Sequence, residues 1–190
     1  MLRNYKYEPN KLEVFTTEIL GSTVLQFYYK KYIKSLELKD NEKILDFCCG
    51  SGSLAKNIKR LNPKSKLFFS DISIRWHNLA RIKLDKFSKV GSVSFSSLID
   101  SIYQKYDRII VHFVIHDFPN KLHTDIFKVL IANCKSGGVI NIREPLNDNH
   151  GFKLFQLINQ LESLQELTYD YEIREIPLIG KVVDVLCCKK

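Results

Sequence analysis

The chain has 190 residues, 45 % of them hydrophobic, which suits one globular domain with a sizeable core and is short for two. No apolar run approaches the roughly 20 residues that cross a bilayer, and the mixed, polar residues 1–10 do not read as a secretory signal. Lys and Arg number 29 against 21 Asp and Glu, a net charge of +8; the basic residues are scattered, so a solvated surface is favoured over a nucleic-acid footprint, which stays open.

Over residues 11–36, Val14, Ile19, Leu20, Val24, Phe27, Tyr28 and Ile33 recur at helical spacing. Gly21-Ser22 is expected to divide this stretch, with Ser22 or Thr23 as N-cap. Strands are predicted at Lys43–Phe47, Lys66–Ser70, 92–95, 108–112, 139–143, 169–176 and 182–188. Helices fill the gaps. Ser53–Leu61 is amphipathic and is stopped by Asn62-Pro63. Ser73 caps a helix carrying Ile74, Leu79, Ile82, Leu84 and Phe87. A third, over 121–134, ends at Gly137-Gly138, and a fourth is expected over about 151–164. Residues 178–181 are too few for a helical crossover, so the last two strands must form an antiparallel hairpin. The predicted fold is α/β: a Rossmann-like, doubly wound, seven-stranded sheet, mostly parallel, with helices on both faces. Residues 1–190 form one domain, with 1–38 a helical lid and 39–190 a ligand-binding core.

Five cysteines is an odd number, and four form the adjacent pairs Cys48-Cys49 and Cys187-Cys188. Neighbouring cysteines rarely bridge each other, and no CxxC spacing suggests zinc. All five are expected to be reduced and mostly buried, in a cytoplasmic protein with no metal site.

The chemistry concentrates where the first predicted strand ends. Residues 48–52 are a tight turn into a helix, which aims backbone N–H groups and a helix N-terminus at a ligand. Gly50 and Gly52 let the backbone bend sharply and let a ligand lie close. Asp46 can accept a hydrogen bond from a cationic amine, directly or through water. Asp71, at the end of the second strand, suits a bidentate hydrogen bond to two ribose hydroxyls. Residues 50–55 also fit G-x-G-x-x-A with an acid at the spacing of a NAD site, so a dinucleotide is a rival, as is a turn without ligand. A carboxylate at Asp46 would repel a pyrophosphate and suits a ligand with an amino-acid moiety. The favoured ligand is S-adenosylmethionine (SAM).

The run Asp46-Phe47-Cys48-Cys49-Gly50-Ser51-Gly52-Ser53-Leu54-Ala55 resembles motif I of the class I SAM-dependent methyltransferases. It is most similar to the variant in ubiquinone and menaquinone biosynthesis methyltransferases, where a Cys-Cys-Gly run also occurs. The common pattern has Gly at Cys48; Cys is small and narrows the pocket without closing it. The resemblance implies SAM held by Asp46, Phe47, Cys48, Gly50 and Gly52, with Asp71 as the ribose acid and Ile72 packed on adenine. Many relatives carry an acid after the third strand that contacts the adenine amino group. Ser97 stands there in this chain, so a hydroxyl or backbone group replaces the carboxylate. The resemblance covers residues 36–190 in architecture and is strong in specific residues only at the first two motifs.

His112 leaves the carboxyl end of the fourth strand, where ligands of open parallel sheets bind, and is expected beside the cofactor. His116 is the leading candidate for a general base toward a hydroxyl acceptor, with Asp117 able to orient it. Both readily serve instead as contact residues or as packing at a helix start, and many methyl transfers need little beyond alignment. Arg143 can hold an anionic substrate or pair with Glu144. Tyr28, Tyr29 and Tyr32 can line the lid, with at least one of them in the core. No Asn-Pro-Pro-Tyr or Asp-Pro-Pro-Tyr follows the fourth strand, which argues against methylation of planar amide or exocyclic amine nitrogens. The expectation is a SAM-dependent methyltransferase with a small-molecule acceptor. RNA or protein as acceptor, or a non-catalytic SAM-binding domain, are the alternatives.

Overall fold

The computed structural model describes residues 2–23, 25–100, 105–146, 162–163, 165–177 and 179–190. Among these, seven strands form one sheet: β1 (Lys43–Phe47), β2 (Lys66–Ser70), β3 (Val90–Ser92), β4 (Tyr106–His112), β5 (Cys134–Pro145), β6 (Leu167–Ile176) and β7 (Gly180–Lys189). Their order is β3-β2-β1-β4-β5-β7-β6. The helices are α1 (Lys11–Ser22), α2 (Leu25–Ser35), α3 (Ser53–Leu61), α4 (Ile74–Leu84), α5 (Phe95–Asp100) and α6 (Asn120–Asn133). None is long and apolar enough to cross a membrane. The chain clusters into two compact units, Asn4–Leu98 and Ile99–Lys190 with Met1–Arg3.

In the unit Asn4–Leu98, β1 pairs in parallel with β2, and β2 with β3. Ile44, Leu45 and Phe47 are buried at successive positions, as in a strand covered on both faces. The 3.6-residue period of α3 puts Ala55 and Ile58 in the core at zero exposure. Its end is closed by a buried cation. Lys59 Nζ donates to the carbonyls of Pro63 and Ser65, both at 2.7 Å, where the helix dipole favours positive charge. Ser73 N-caps α4 as predicted, its Oγ accepting from Trp76 N–H at 3.1 Å.

Two local expectations in this unit are corrected. The stretch does divide in two, but just past Gly21: α1 runs through it to Ser22 and α2 begins at Leu25. A Cβ on Gly21 would sit 2.8 Å from Ser53 Oγ, so the glycine serves a close approach to the start of α3. Thr23 ends α1 rather than starting α2, its N–H and hydroxyl both turned back to Ile19 O. The third strand is Val90–Ser92, earlier than predicted, because the chain turns at left-handed Lys89 (φ 58°). Ser94 Oγ then accepts from Ser97 N–H at 3.2 Å, and Phe95 begins α5.

In the other unit, β4 pairs in parallel with β5, β5 runs antiparallel to β7, and β7 antiparallel to β6. This is the predicted hairpin ending. Ile109, Ile110 and Val111 have zero exposure, and α6 buries Leu122, Ile126, Phe127, Leu130 and Ile131. Gly137-Gly138 does not stop α6. The helix ends at Asn133, closed by the Cys134 N–H on Ile131 O and Leu130 O, and both glycines lie within β5. The predicted helix over 151–164 lies outside the described residues, apart from 162–163.

Lys59→Met keeps the side-chain length but strands two buried carbonyls. It is expected to lower stability by about 1–3 kcal/mol in urea unfolding, whereas Arg60→Gln, on an exposed neighbour, should change it by less than about 0.5 kcal/mol.

Candidate active site

The turn between β1 and α3 carries left-handed backbone at alternate residues: Cys48 (φ 53°), Gly50 (φ 53°) and Gly52 (φ 73°). Such alternation folds the chain into a concave cradle of N–H groups. It is stapled by Cys49 N–H to Ser70 O and Gly52 N–H to Cys49 O, both at 2.9 Å. Asp71, 8 % exposed, bridges the cradle to the next element. Its Oδ2 accepts from Gly50 N–H at 2.8 Å and its Oδ1 from Ser73 N–H at 2.9 Å. The two glycines differ in purpose. A Cβ on Gly52 would lie 3.0 Å from Ala80 Cβ, so that glycine allows α4 to pack against the turn. A Cβ on Gly50 would meet no described atom within 4 Å, so Gly50 faces open space.

Asp46 lies at the end of β1 with 2 % exposure. The Ala55 N–H, in the first turn of α3, hydrogen-bonds its carboxyl group. Among the described residues, Oδ2 is buried without a hydrogen-bond partner. Burial, with the nearby Asp71 charge adding, pushes Asp46 up to about 8. Burial also pushes Asp71 up to about 6, against the opposing hydrogen bonds from Ser73 and Gly50. The phenol of Tyr29 on α2 is pushed to about 12, by burial first and then by Tyr28, Asp46 and Glu18. Behind the cradle, Lys83 Nζ pairs with Glu18 at 2.7 Å and donates to Ser51 Oγ and Ser53 Oγ, both at 3.2 Å. Among the described residues, two carboxyl groups thus share a dry site, one of them with an unsatisfied oxygen, beside the open space at Gly50. A cationic group placed there restores the hydrogen bond that Oδ2 lacks and favours ionisation of both acids.

A second cluster forms where β4 ends. Left-handed Phe113 (φ 56°) turns the chain into a 3-10 turn, Ile115–Asp117. Glu144, at zero exposure on β5, accepts from Val114 N–H at 2.9 Å, Ile115 N–H at 2.8 Å and His116 Nδ1 at 2.7 Å. Nδ1 therefore carries a proton, and Nε2 faces the exposed Asp117 at 3.4 Å. Burial alone would lower the His116 pKa, but the hydrogen bond and charge of Glu144 reverse this and the net shift is upward. His112 is pushed down to about 3, by burial and then by Arg143, so it is neutral. Its ring stacks at 4.4 Å from that of Phe113. Arg143 is buried, and its guanidinium makes a bidentate pair with Asp184.

The sequence profile of the methyltransferase domain family matches residues 24–175. The chain belongs to that family. A ribosomal RNA small subunit methyltransferase C from Buchnera aphidicola is 34 % identical over 97 residues, 51 % of this chain and 29 % of that protein. The mitochondrial 2-methoxy-6-polyprenyl-1,4-benzoquinol methylase of Caenorhabditis elegans is 24 % identical over 162 residues, 76 % of this chain and 55 % of that protein. The chain thus spans about a quarter to just over half of the curated relatives it matches. Among solved structures, the N-methyltransferase NodS of Bradyrhizobium japonicum with S-adenosylhomocysteine superposes with a TM-score of 0.73 at 14 % identity, covering 90 % of both chains. Magnesium protoporphyrin IX methyltransferase from Synechocystis with SAM superposes with 0.68 at 13 % identity, covering 100 % of this chain and 89 % of that one. The fold is the Rossmann-like fold of class I SAM-dependent methyltransferases, and SAM is the methyl donor of the family.

In this methyltransferase domain, Asp46, Cys48, Gly50, Gly52 and Asp71 gather around one turn. Phe47 is 1 % exposed and packs its ring 5.7 Å from that of Phe95, so its side chain belongs to the core. Ile72 is half-buried beside Asp71. The Ser97 hydroxyl is engaged by Ser94 Oγ at 2.6 Å in the first turn of α5. Tyr32 is buried, while Tyr28 is half-buried with its ring 5.7 Å from that of Tyr29. Arg143 pairs with Asp184, not Glu144, and Glu144 rather than Asp117 makes the short bond to His116. Of the five cysteines, all free, Cys134 and Cys187 are buried, Cys48 and Cys49 half-buried and Cys188 exposed. Glu144, Lys83 and Glu8 were not singled out from sequence, and each acts on residues 28 to 67 positions away.

Gly52→Ala is expected to lower stability by about 2–4 kcal/mol, from left-handed strain plus overpacking on Ala80, and Gly50→Ala by only about 1 kcal/mol; denaturant unfolding checks both. Asp46 gives a pH signature of opposite sign to an ordinary paired acid. Its neutral form is favoured in the fold, so its contribution is complete below 3.8 and is lost as pH rises toward about 8. Asp46→Asn should therefore unfold about 1–3 kcal/mol harder than the parent at pH 8 and about equally at pH 4, as read from urea midpoints.

Proposed function

We propose that this domain is an active enzyme that transfers the methyl group of SAM to a small-molecule acceptor. The observation that carries the donor site is the buried, unpartnered Oδ2 of Asp46 beside the open cradle at Gly50. The ammonium of the SAM methionine moiety would satisfy it, directly or through water. A dinucleotide would instead bring its pyrophosphate against two carboxyl groups. The Asp71 carboxyl group accepts from the N–H groups of Gly50, Ser73 and Ile72, and the acceptor capacity that remains would serve a ribose hydroxyl. Ile72 would pack on adenine, and Ser97 or its backbone would replace the adenine-contacting acid. In this reading residues 1–38 serve as a lid, with Tyr28 and Tyr29 on its inner side and Tyr32 in the core.

Bound SAM supplies an electrophilic methyl group on a sulfonium. A hydroxyl acceptor must lose its proton as the methyl arrives. His116 would take it at Nε2, held in that tautomer by Glu144, with Asp117 as a weaker neighbour and His112 a neutral contact. Arg143, saturated by Asp184, would hold β5 to β7 rather than bind substrate. The RNA reading is supported by the net charge of +8 and by the printed name of the Buchnera relative. Against it stand the scattered basic residues and the greater share of this chain matched by the benzoquinol methylase. The five free thiols support a cytoplasmic location.

Calorimetry should show SAM and S-adenosylhomocysteine binding and NAD not binding; the reverse pattern removes the reading. Asp71→Ala should weaken SAM binding by about 1–3 kcal/mol. His116→Ala should leave SAM affinity unchanged and cut kcat about 100-fold or more toward a hydroxyl acceptor. Binding to RNA that weakens steeply with salt would favour the nucleic-acid alternative.

A further inference from the structure

Three consecutive residues ahead of α1 each hold a different part of the unit Asn4–Leu98. Glu8 reaches the start of α4: its Oε1 accepts from Ile74 N–H at 2.8 Å, and its Oε2 from Ser73 Oγ at 2.8 Å and Arg75 N–H at 3.2 Å. The Pro9 carbonyl accepts from Arg75 Nη1 at 2.5 Å. Asn10 caps α1 through Glu13 N–H at 2.9 Å. Helix α4 already has its own cap in Ser73, so Glu8 fills the donors that Ser73 leaves open, where the helix dipole favours an anion. The far half of α1 is tied as well, by Glu18 to Lys83 and by the close approach of Gly21 to Ser53. The strap is thus fastened at one end beside Asp71 and at the other behind the cradle.

The chain of bonds runs on into the donor site. Ser73 gives its hydroxyl proton to Glu8, accepts from Trp76 N–H, and gives its own N–H to Asp71 Oδ1; Asp71 Oδ2 then holds Gly50 N–H. We infer that Glu8 is a positioning residue for the methyl donor: it fastens the segment ahead of α1 to α4 and, through Ser73, fixes the Asp71 carboxylate at the angle that the ribose hydroxyls need. This rests on SAM as the ligand of Asp71. It assigns a role in donor binding to a residue 63 positions from Asp71 in the sequence and outside both sequence motifs.

The charge of Glu8 also opposes ionisation of Asp71, along with burial. The other charged and titratable groups around this chain of bonds are Asp46 on β1, Cys49 on the turn and Arg75 on α4. Glu8→Gln keeps an acceptor oxygen and removes the charge; Glu8→Ala removes both.

Two readouts separate this idea from the donor assignment. Trp76 is the single tryptophan and lies one turn inside α4, so its fluorescence reports the Glu8 contact with no cofactor present. Tryptic cleavage after Lys6 and Lys11 reports release of the strap. Glu8→Ala is expected to shift the Trp76 emission, speed that cleavage and weaken SAM binding about 3- to 30-fold. Glu8→Gln is expected to lose less affinity, and the pH at which SAM binding fails on acidification should move lower, because Asp71 gives up its proton more readily. A mere anchor of the helix start would alter the emission and the cleavage but leave the SAM affinity of the folded protein unchanged. An unchanged SAM affinity and pH midpoint in Glu8→Gln, in protein that binds SAM normally before substitution, overturns the inference even if Glu8→Ala fails to fold. If the parent protein binds no SAM, the donor reading fails; an unchanged emission and cleavage in Glu8→Gln and Glu8→Ala then also dismisses the strap.

Discussion

Asp71 is the fixed point of the turn after β1. Its two oxygens join the turn after β1 to the cap of α4, one N–H from each. Neither N–H has a regular partner within a strand or helix, so without the carboxylate two backbone donors would lack a bond at a largely buried corner. Satisfying them places a carboxyl group within electrostatic reach of Asp46, and the site must hold two acids where water is scarce. Burial and the Asp71 charge push the Asp46 pKa up to about 8, which favours its neutral form. A ligand with a positive charge resolves it differently, by making the ionised form the favoured one. The same feature thus opposes folding and would favour binding of such a ligand, as expected where function overrides the local optimum of stability.

The small residues of the turn divide the remaining work. Gly52 is fixed by protein packing, since Ala80 occupies the space a side chain would need. Gly50 is fixed by no neighbour, and the space it leaves is available to a ligand. Cys48 adopts a left-handed backbone that ordinary residues enter at a cost of about 1 kcal/mol. The chain carries the strain because the staple from Cys49 N–H to Ser70 O and the cradle bonds around it over-determine the loop.

Much of this was readable from the sequence because it is local. The limits of β1, β2 and α3, the Ser73 cap and the hairpin ending follow from apolar periodicity and from residues adjacent in the chain. The misreadings came from glycines and short segments. Gly21 and Gly137-Gly138 look like helix punctuation, yet one admits a neighbouring helix and the others lie inside a strand. The third strand is only Val90–Ser92, too short for its pattern to outweigh the serines that follow. The side chains that hold the sites in place were not readable at all. Glu8, Lys83 and Glu144 are ordinary charged residues until the fold brings them to donors tens of positions away, and no spacing rule marks them.

Glu144 illustrates why the second cluster points to chemistry more than to stability. A fully buried carboxylate normally requires its partners, and removing one strands a charge. Here Val114, Ile115 and, at 3.4 Å, His116 already supply backbone N–H donors, and further backbone bonds within the turn after β4 help to shape it. His116 adds its ring as a further donor, beyond these backbone groups. Its ring remains partly exposed, and burial would make it a weaker base were Glu144 not beside it. A histidine whose pKa is raised by a carboxylate that does not need it is poorly explained by packing. Under the proposed reading, the arrangement would fix one tautomer, leave Nε2 as the acceptor, and stabilise the imidazolium that would form once a proton has been taken.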